Sequence, residues 1–239
     1  MESLNKNLEA SLQGDELTKI GLDLSEIAID QLLQDGLLKD LPIVNSIVAL
    51  FKTGISIKDA FYIRKLLIFI GKIQEVPKEK RIKFLKEISN VIEEKNRLFE
   101  KILFTIDKLD ESGKAVLLGK VFKHLIVGNI TLIQYYKVSR VIEDMLLDEI
   151  KCFLYEYGYF EPNEEYREKN DYYFRLIDSN NLKSVLVKNY LYEVKHELLY
   201  REHTVGQKYK LEKKEYLTDL GKLFAELGTK SRDLLENPI

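Results

Sequence analysis

Residues 41–73 read LPIVNSIVALFKTGISIKDAFYIRKLLIFIGKI and form the most apolar stretch of the chain. Pro42 suits the first turn of a helix, and Gly54 separates two helical runs, the second of which Ser56 or Asp59 can cap. A transmembrane helix needs about 20 nearly uncharged residues, but charged side chains interrupt this stretch at Lys52, Lys58, Asp59, Arg64 and Lys65. We therefore predict a buried helical hairpin, with conditional insertion into a membrane as the alternative.

Helical periodicity continues on both sides of this stretch. Apolar residues at spacings of three and four predict an amphipathic helix over 15–35, which Gly36 ends. Pro77 opens a helix of about 30 residues whose near-heptad apolar pattern is broken only at Lys95. Such a helix is either the spine of an antiparallel bundle or a dimer contact. The candidate residues for self-association are Leu85, Ile88, Ile92 and Phe99.

Several turn signals divide the rest of the helical region. The run from Asp107 to Gly113 lacks the ligand spacing of a calcium loop, so we interpret it as a helix–helix turn capped by Asp110 or Ser112. Gly128 and Asn129 end the following helix. Thr131 can cap another helix, which we expect to continue to about Leu154.

The C-terminal part has a different character. Residues 155–171 are acidic, rich in Tyr and without a period, which is typical of a linker. Beyond it come two short helical stretches, a strand from Tyr190, a turn at Gly206 and a return strand from Tyr209. Thr218 then caps a closing helix that Gly228 ends.

The fold class that these elements predict is mainly α, a multi-helix bundle with a small α+β winged-helix-like C-terminal domain. We assign residues 1–14 to a flexible N-terminus and 15–154 to the helical bundle. The acidic linker covers 155–171, and the winged-helix-like domain covers 172–239.

Charge is balanced over the chain but arranged in blocks. The 239 residues contain 37 Lys and Arg against 39 Asp and Glu, and 45% are hydrophobic, enough for a sizeable core. Residues 1–40 and 143–171 are acidic, whereas residues 41–86 are basic. These blocks either pair with one another or leave a basic surface for anionic lipid or nucleic acid.

No pattern for catalysis, metal binding or cofactor binding is found in the sequence. Cys152 is the only cysteine, which excludes an intrachain disulfide, favours a reducing compartment and predicts a buried thiol. His124, His196 and His203 lack the paired spacing of a zinc site. Ser112-Gly113-Lys114 lacks the first glycine of a P-loop. We predict a non-enzymatic protein without cofactor or metal, located in the cytoplasm, with membrane association in an active state as the alternative.

Two resemblances extend this interpretation. The block from Leu41 to Val48, with Lys52, Gly54, Ile57, Asp59 and Arg64-Lys65-Leu66, resembles a scattered family of uncharacterised bacterial proteins. The later positions Leu109-Asp110, Lys114-Ala115, Leu118-Gly119, Phe122 and Gly128-Asn129-Ile130 contribute to the same resemblance. That family is loosely similar to the abortive-infection alpha-type proteins, which implies bacterial origin, a helical fold and a role in phage defence. The ending from Tyr209 through Tyr216 to Phe224 is similar to the last strand and helix of winged-helix domains.

Three functions follow as hypotheses. The first is an interaction or adaptor protein that binds a protein partner or forms a homo-oligomer through its helices. The second is a membrane-active effector that inserts 41–73, with contacts from Phe51, Lys52, Phe61, Arg64 and Lys65. The third is a DNA-binding regulator whose C-terminal module would contact nucleic acid, or a partner, through Lys183, Lys188, Lys208 and Lys210.

Overall fold

A computed structural model of the chain describes residues 2–17, 41–50, 56–157, 186–189, 191–201 and 209–230. The protein is mainly helical, as predicted. The helices are α1 (Glu2–Gln13), α2 (Pro42–Leu50), α3 (Ile57–Gln74), α4 (Lys78–Ser89), α5 (Ile92–Lys108), α6 (Ser112–Ile126), α7 (Leu132–Asp144), α8 (Leu147–Tyr157) and α9 (Asp219–Lys230), with strands β1 (Tyr192–Arg201) and β2 (Tyr209–Leu217). Contacts divide the chain into two units, Met1–Glu143 with Asp233–Ile239, and Asp144–Arg232.

The apolar stretch of the sequence forms α2 and α3. Pro42 begins α2, and Ser56 caps α3 by accepting a hydrogen bond from the Asp59 backbone N–H, while the Asp59 carboxylate accepts from the Ser56 backbone N–H at 3.0 Å. Helix α2 packs on α1, and α3 packs on α6. The predicted burial is confirmed, since the stretch supplies core residues at Ile43, Val44, Ile47, Ile63, Leu66, Leu67, Ile68, Phe69, Ile70 and Ile73. Among the helices so described, none is long and apolar enough to cross a membrane.

A glycine sets the distance between α3 and α6. A Cβ atom placed on Gly119 would lie 2.8 Å from the Lys72 Cβ and 3.2 Å from the Phe69 carbonyl oxygen. The first of these separations is closer than non-bonded carbon atoms approach, and neither neighbour is the free end of a flexible side chain. The absence of a side chain at Gly119 therefore lets the two helices meet.

Replacing Gly119 with Ala tests this contact, because close packing and helix propensity predict opposite changes in the free energy of unfolding. Helix propensity alone would raise the free energy of unfolding by about 1 kcal/mol, because Ala is the better helix former. Overpacking between the helices costs about 1–3 kcal/mol, so we expect a net loss of stability. Urea unfolding measures the difference, and a gain in stability would show that the helices separate without cost.

Two long helices predicted from periodicity are each broken in the structure. The single helix expected from Pro77 is wrong: α4 ends at Ser89, and Val91 leaves the helical conformation, with φ −121° and ψ 89°. The Ser89 hydroxyl donates to the Leu85 carbonyl at 2.6 Å, and β-branched Val91 favours extended backbone, so both residues disfavour continuation. The helix expected to reach Leu154 is likewise wrong, since it ends at Asp144.

The N-terminus also differs from its prediction. Residues 1–14 were expected to be flexible, but Glu2–Gln13 form α1. Leu8 and Leu12, one helical turn apart, are buried in the core, and the Ser11 hydroxyl accepts from the Ile43 backbone N–H at 3.2 Å. The apolar stripe is short, but packing on α2 supplies the stability that a 12-residue helix lacks in isolation.

The turns around α6 follow the sequence signals in part. Gly128 has φ 78°, a backbone conformation that favours glycine, and ends α6 as predicted. Thr131 caps α7, since its hydroxyl accepts from the Gln134 backbone N–H at 3.2 Å. The capping of α6 by Asp110 or Ser112 is wrong, because the N-cap is Glu111 and no side chain bonds there. Asp110 instead pairs with Lys114 at 2.7 Å.

The second unit contains a hairpin and a helix. Strands β1 and β2 pair antiparallel from Tyr192 opposite Leu217 to Arg201 opposite Tyr209. The Thr218 hydroxyl accepts from the Gly221 backbone N–H at 3.0 Å and caps α9, as predicted, although α9 continues past Gly228 to Lys230. Helix α9 packs on α8 through stacked Phe153 and Phe224 rings, and Cys152 on α8 is buried, as predicted.

Some expectations fall on parts of the chain that the structure does not describe. They are the helix over 15–35 beyond Leu17, its end at Gly36, the turns at Gly54 and Gly206, and the linker over 155–171 beyond Tyr157. The two short helical stretches at the start of 172–239 also lie largely outside the described residues. The winged-helix assignment therefore stays a prediction.

Candidate interaction surface

Buried cations bind the C-terminal ends of helices in the first unit. Arg81, in the first turn of α4, is almost fully buried, and its guanidinium donates to the carbonyls of Val76, Leu12 and Gly14 and pairs with the Asp15 carboxylate. These carbonyls follow or end α3 and α1, where the helix dipole is negative and a cation is favourable. The acidic N-terminal block thus pairs with the basic block, one of the two interpretations that the sequence left open.

Lys65 has the same role at the end of α5. Its side chain is buried, and Nζ donates to the carbonyl of Asp107 at 3.2 Å and to that of Leu109. Burial lowers the pKa of Lys65, while the negative charges of Asp107 and Asp110 act against that change. The prediction that Lys65 contacts a membrane or a partner is therefore wrong, because the amine is occupied inside the protein.

Glu75 joins α3 to α6 and makes the stability of the fold depend on pH. Its carboxylate accepts from Lys72 Nζ at 2.8 Å and from Lys123 Nζ at 2.6 Å. Partial burial raises the pKa of Glu75, but the hydrogen bonds and charges of Lys123 and Lys72 outweigh that effect and hold it below 4.5. Stability from a carboxyl with a lowered pKa is present above pH 4.5 and is lost as pH falls through the folded-state pKa.

We expect the Glu75→Gln variant to lose less stability than the wild type when pH is lowered below 4.5. Glutamine keeps the shape of the side chain but does not titrate, so this part of the acid dependence disappears. Urea unfolding at a series of pH values measures it, with Glu79→Gln, at an exposed position, as the matched control. Parallel curves for the wild type and Glu75→Gln would contradict the assignment.

The start of α3 carries the exposed hydrophobic residues of this helix. Ile57 is 78% exposed and Phe61 is 54% exposed. Arg64 follows at the spacing that continues the same helical stripe, and Lys58 is exposed beside it. We call Ile57, Lys58, Phe61 and Arg64 the α3 surface.

The α3 surface stands on a rigid base. The Ser56 capping box fixes the first turn of α3, and the Lys65 contacts fix the next turns to the end of α5. Tyr62 packs on that side as well, where burial and the nearby Asp107 charge raise its pKa to about 12. The backbone that carries Ile57 and Phe61 is therefore held in helical form, which lowers the entropy cost of ordering it on binding.

The residues predicted for self-association separate into two groups. Leu85 and Phe99 are core residues, so their assignment as contacts between copies is wrong. Ile88 is half-buried, whereas Ile92 is 67% exposed and Val91 beside it is 49% exposed. The heptad pattern includes both core and surface positions, because the single helix that would have placed them on one face is broken between Ser89 and Ile92.

The break between α4 and α5 forms a second exposed apolar site. Glu93 and Glu94 follow Val91 and Ile92 in the first turn of α5, and both are exposed. We call Val91, Ile92, Glu93 and Glu94 the α4–α5 corner. No pattern in the sequence indicated that Val91 would be exposed, because its exposure results from the break between α4 and α5.

The other predicted contact residues are not brought together in the part of the chain that the structure describes. Lys188 is exposed near the second unit's hairpin sequence, and Lys210 lies in β2 opposite Tyr200. Lys183, Lys208, Phe51 and Lys52 lie outside the described residues. A basic recognition face for DNA therefore gains no support from these positions.

Residues suited to metal binding do not converge in the described ranges. No group of three His, Cys, Asp or Glu side chains that could hold a metal ion occurs among residues 2–17, 41–50, 56–157 and the described C-terminal segments. The ring of His124 lies 3.1 Å from the Asn129 side-chain amide, a contact that helps to close the end of α6.

No protein-family model, no curated protein and no solved structure matches this chain. The resemblance to the abortive-infection alpha-type proteins accordingly stays a prediction.

Proposed function

We propose that this chain is a non-enzymatic interaction protein that acts by binding another protein molecule through the α3 surface. The observation that carries the proposal is the exposure of Ile57 and Phe61 on one stripe of a rigid helix. Large apolar side chains in water are costly, and covering each one contributes about 1.5–3 kcal/mol. Aromatic and Arg side chains are also the residue types that most often dominate protein interfaces, and the α3 surface has Phe61 and Arg64.

Several features favour a protein partner over a membrane. The Ile, Leu and Phe residues at 63–73, together with Leu41, Ile43, Val44 and Ile47, already lie in the core, so inserting the segment would require the first unit to come apart. Lys65 would also lose its bonds to the end of α5 and enter the hydrocarbon as a charge. Binding of a protein needs neither step.

The wider setting of the proposal rests on the resemblances. A bacterial origin and a role in phage defence follow from the likeness to abortive-infection alpha-type proteins, whereas the cytoplasmic location rests on the single cysteine and the N-terminal sequence. The winged-helix-like ending would supply a second contact or a sensor. These parts carry less weight than the α3 surface, because no described contact supports them.

Photo-crosslinking in cells that express the chain tests the proposal. A benzophenone amino acid replaces Phe61 in one variant and Ile133, which is 67% exposed on α7, in a matched control. We expect protein adducts of defined mass from position 61 and none of the same mass from position 133. Addition of liposomes to the purified protein provides the membrane comparison.

The result that would overturn the proposal is equally specific. If position 61 gives no adduct beyond those of position 133, the α3 surface does not bind protein under these conditions. Crosslinks to lipid from position 61, without protein adducts, would replace the proposal with interfacial membrane binding. Both variants should unfold at the wild-type urea concentration, because both positions are exposed.

A further inference from the structure

We infer that the α3 surface binds the α4–α5 corner of a second copy of this chain. The inference deepens the proposed function and rests on it, since it names the partner of the same surface. The two sites lie in the same unit, and each exposes two large apolar residues that the fold leaves in water: Ile57 and Phe61 on one, Val91 and Ile92 on the other.

Charge complementarity favours this pairing. The α3 surface places exposed Lys58 beside its apolar residues, with half-buried Arg64 on the same stripe, and the α4–α5 corner places exposed Glu93 and Glu94 beside its own. A contact between two α3 surfaces, or between two corners, would bring like charges together around the apolar centre. A contact between one α3 surface and one corner brings opposite charges together. This arrangement is therefore favoured over the two symmetric contacts, surface to surface and corner to corner.

The two sites of one molecule are too far apart to bind each other. Lys65, the residue after Arg64, contacts the end of α5 at Asp107, whereas the corner lies at the beginning of α5. Fifteen residues separate Ile92 from Asp107, and at 1.5 Å per residue this is about 22 Å along the helix axis.

The contacts of α1 also indicate that the start of α3 lies far from the α4–α5 corner. The Gln74 side chain, at the end of α3, donates to the Ser11 carbonyl of α1, and Glu9 of α1 pairs with Lys95 near the beginning of α5. The end of α3 thus lies toward the corner, and the start of α3, with its exposed surface, lies away from it. The α3 surface and the α4–α5 corner therefore lie at opposite ends of the first unit.

Sites at opposite ends make the contact heterologous, meaning that each copy uses a different face toward each neighbour. Every added copy leaves one α3 surface and one corner free, unless the assembly closes into a ring. Growth past the dimer with rising concentration is therefore expected. A symmetric contact would stop at two copies.

Sedimentation of two complementary variants tests the inference. Phe61→Asp disables the α3 surface but keeps the corner, and Ile92→Asp disables the corner but keeps the α3 surface. We expect the wild type to exceed twice the monomer mass as concentration rises, and each variant alone to remain a monomer. An equimolar mixture of the two should form a dimer and stop there, because only one working contact remains.

Controls fix the interpretation of these results. Ile133→Asp changes an equally exposed position on α7 and should assemble like the wild type. Lys58→Glu should weaken assembly at least several-fold, and Glu93→Lys in the same chain should restore it. Since all five substituted positions are exposed, wild-type urea unfolding curves are expected throughout.

Two outcomes would overturn the inference. One is a wild type that stays monomeric at every concentration, and the other is a mixture that gives no dimer. If either occurs while crosslinks from position 61 to another protein persist, the proposed function stands and the partner is a different chain. If the crosslinks are also absent, the proposed function fails with it.

Discussion

Replacing Arg81 with Ala is expected to lower the free energy of unfolding by about 3–5 kcal/mol, the cost typical of removing one partner from a buried charged network. The guanidinium is the donor for the carbonyls of Leu12, Gly14 and Val76. Without it these acceptors lose their partner, and each buried unsatisfied group costs about 1–3 kcal/mol. Urea unfolding near neutral pH measures the loss.

A neighbouring cation provides the control for Arg81. Lys78 lies 3.4 Å from the same Asp15 carboxylate but is half-exposed, so Lys78→Ala should cost less than about 1 kcal/mol. Arg81→Lys should recover little, because a single ammonium cannot reach all four acceptors of the planar guanidinium. Equal small losses in the Arg81→Ala and Lys78→Ala variants would show that the buried network contributes no more than an ordinary surface pair.

Replacing Phe122 with Ala is the second change for which we expect a large effect, again about 3–5 kcal/mol. The Phe122 ring is fully buried and lies 5.6 Å from Phe69, 5.7 Å from Phe84 and 5.3 Å from Tyr135, measured between ring centroids. One side chain of α6 therefore contacts α3, α4 and α7. Its removal leaves a cavity among helices that cannot all close around it.

An exposed ring is the matched control for Phe122. Phe104 on α5 is mostly in water, and its one described aromatic contact is with the Lys108 ammonium at 5.8 Å. Phe104→Ala should cost less than about 1 kcal/mol. If thermal or urea unfolding ranked Phe104→Ala as the more damaging change, the aromatic cluster around Phe122 would not be the centre of the first unit's core.

Helix starts and turns were the features best predicted from the sequence. Ser56, Thr131 and Thr218 cap their helices as expected, and Gly128 ends α6. A cap depends on residues three positions apart, so local sequence contains most of the information that decides it. The burial of most described apolar residues of 41–50 and 63–73 was predictable for a similar reason, since the apolar content there is too high to leave in water.

Features that depend on distant parts of the chain were not predictable. Arg81 and Lys65 belong to a basic block that could have been a solvated face, and their burial follows from carbonyl groups far along the sequence. The α3 surface was found only in part: Phe61 and Arg64 were predicted contacts, whereas Ile57 was not. Its exposure depends on which elements pack over the start of α3, and periodicity alone does not contain that information.

The hydrogen bonds from Arg81 to the end of α1 also affect when α1 can be stabilised during translation. Helix α1 leaves the ribosome before α4, and the group that holds its last carbonyls is made 69 positions after Leu12. Until that guanidinium emerges, the negative end of α1 has no cation from α4 to meet it. The end of α1 must therefore wait for a much later residue before it is secured.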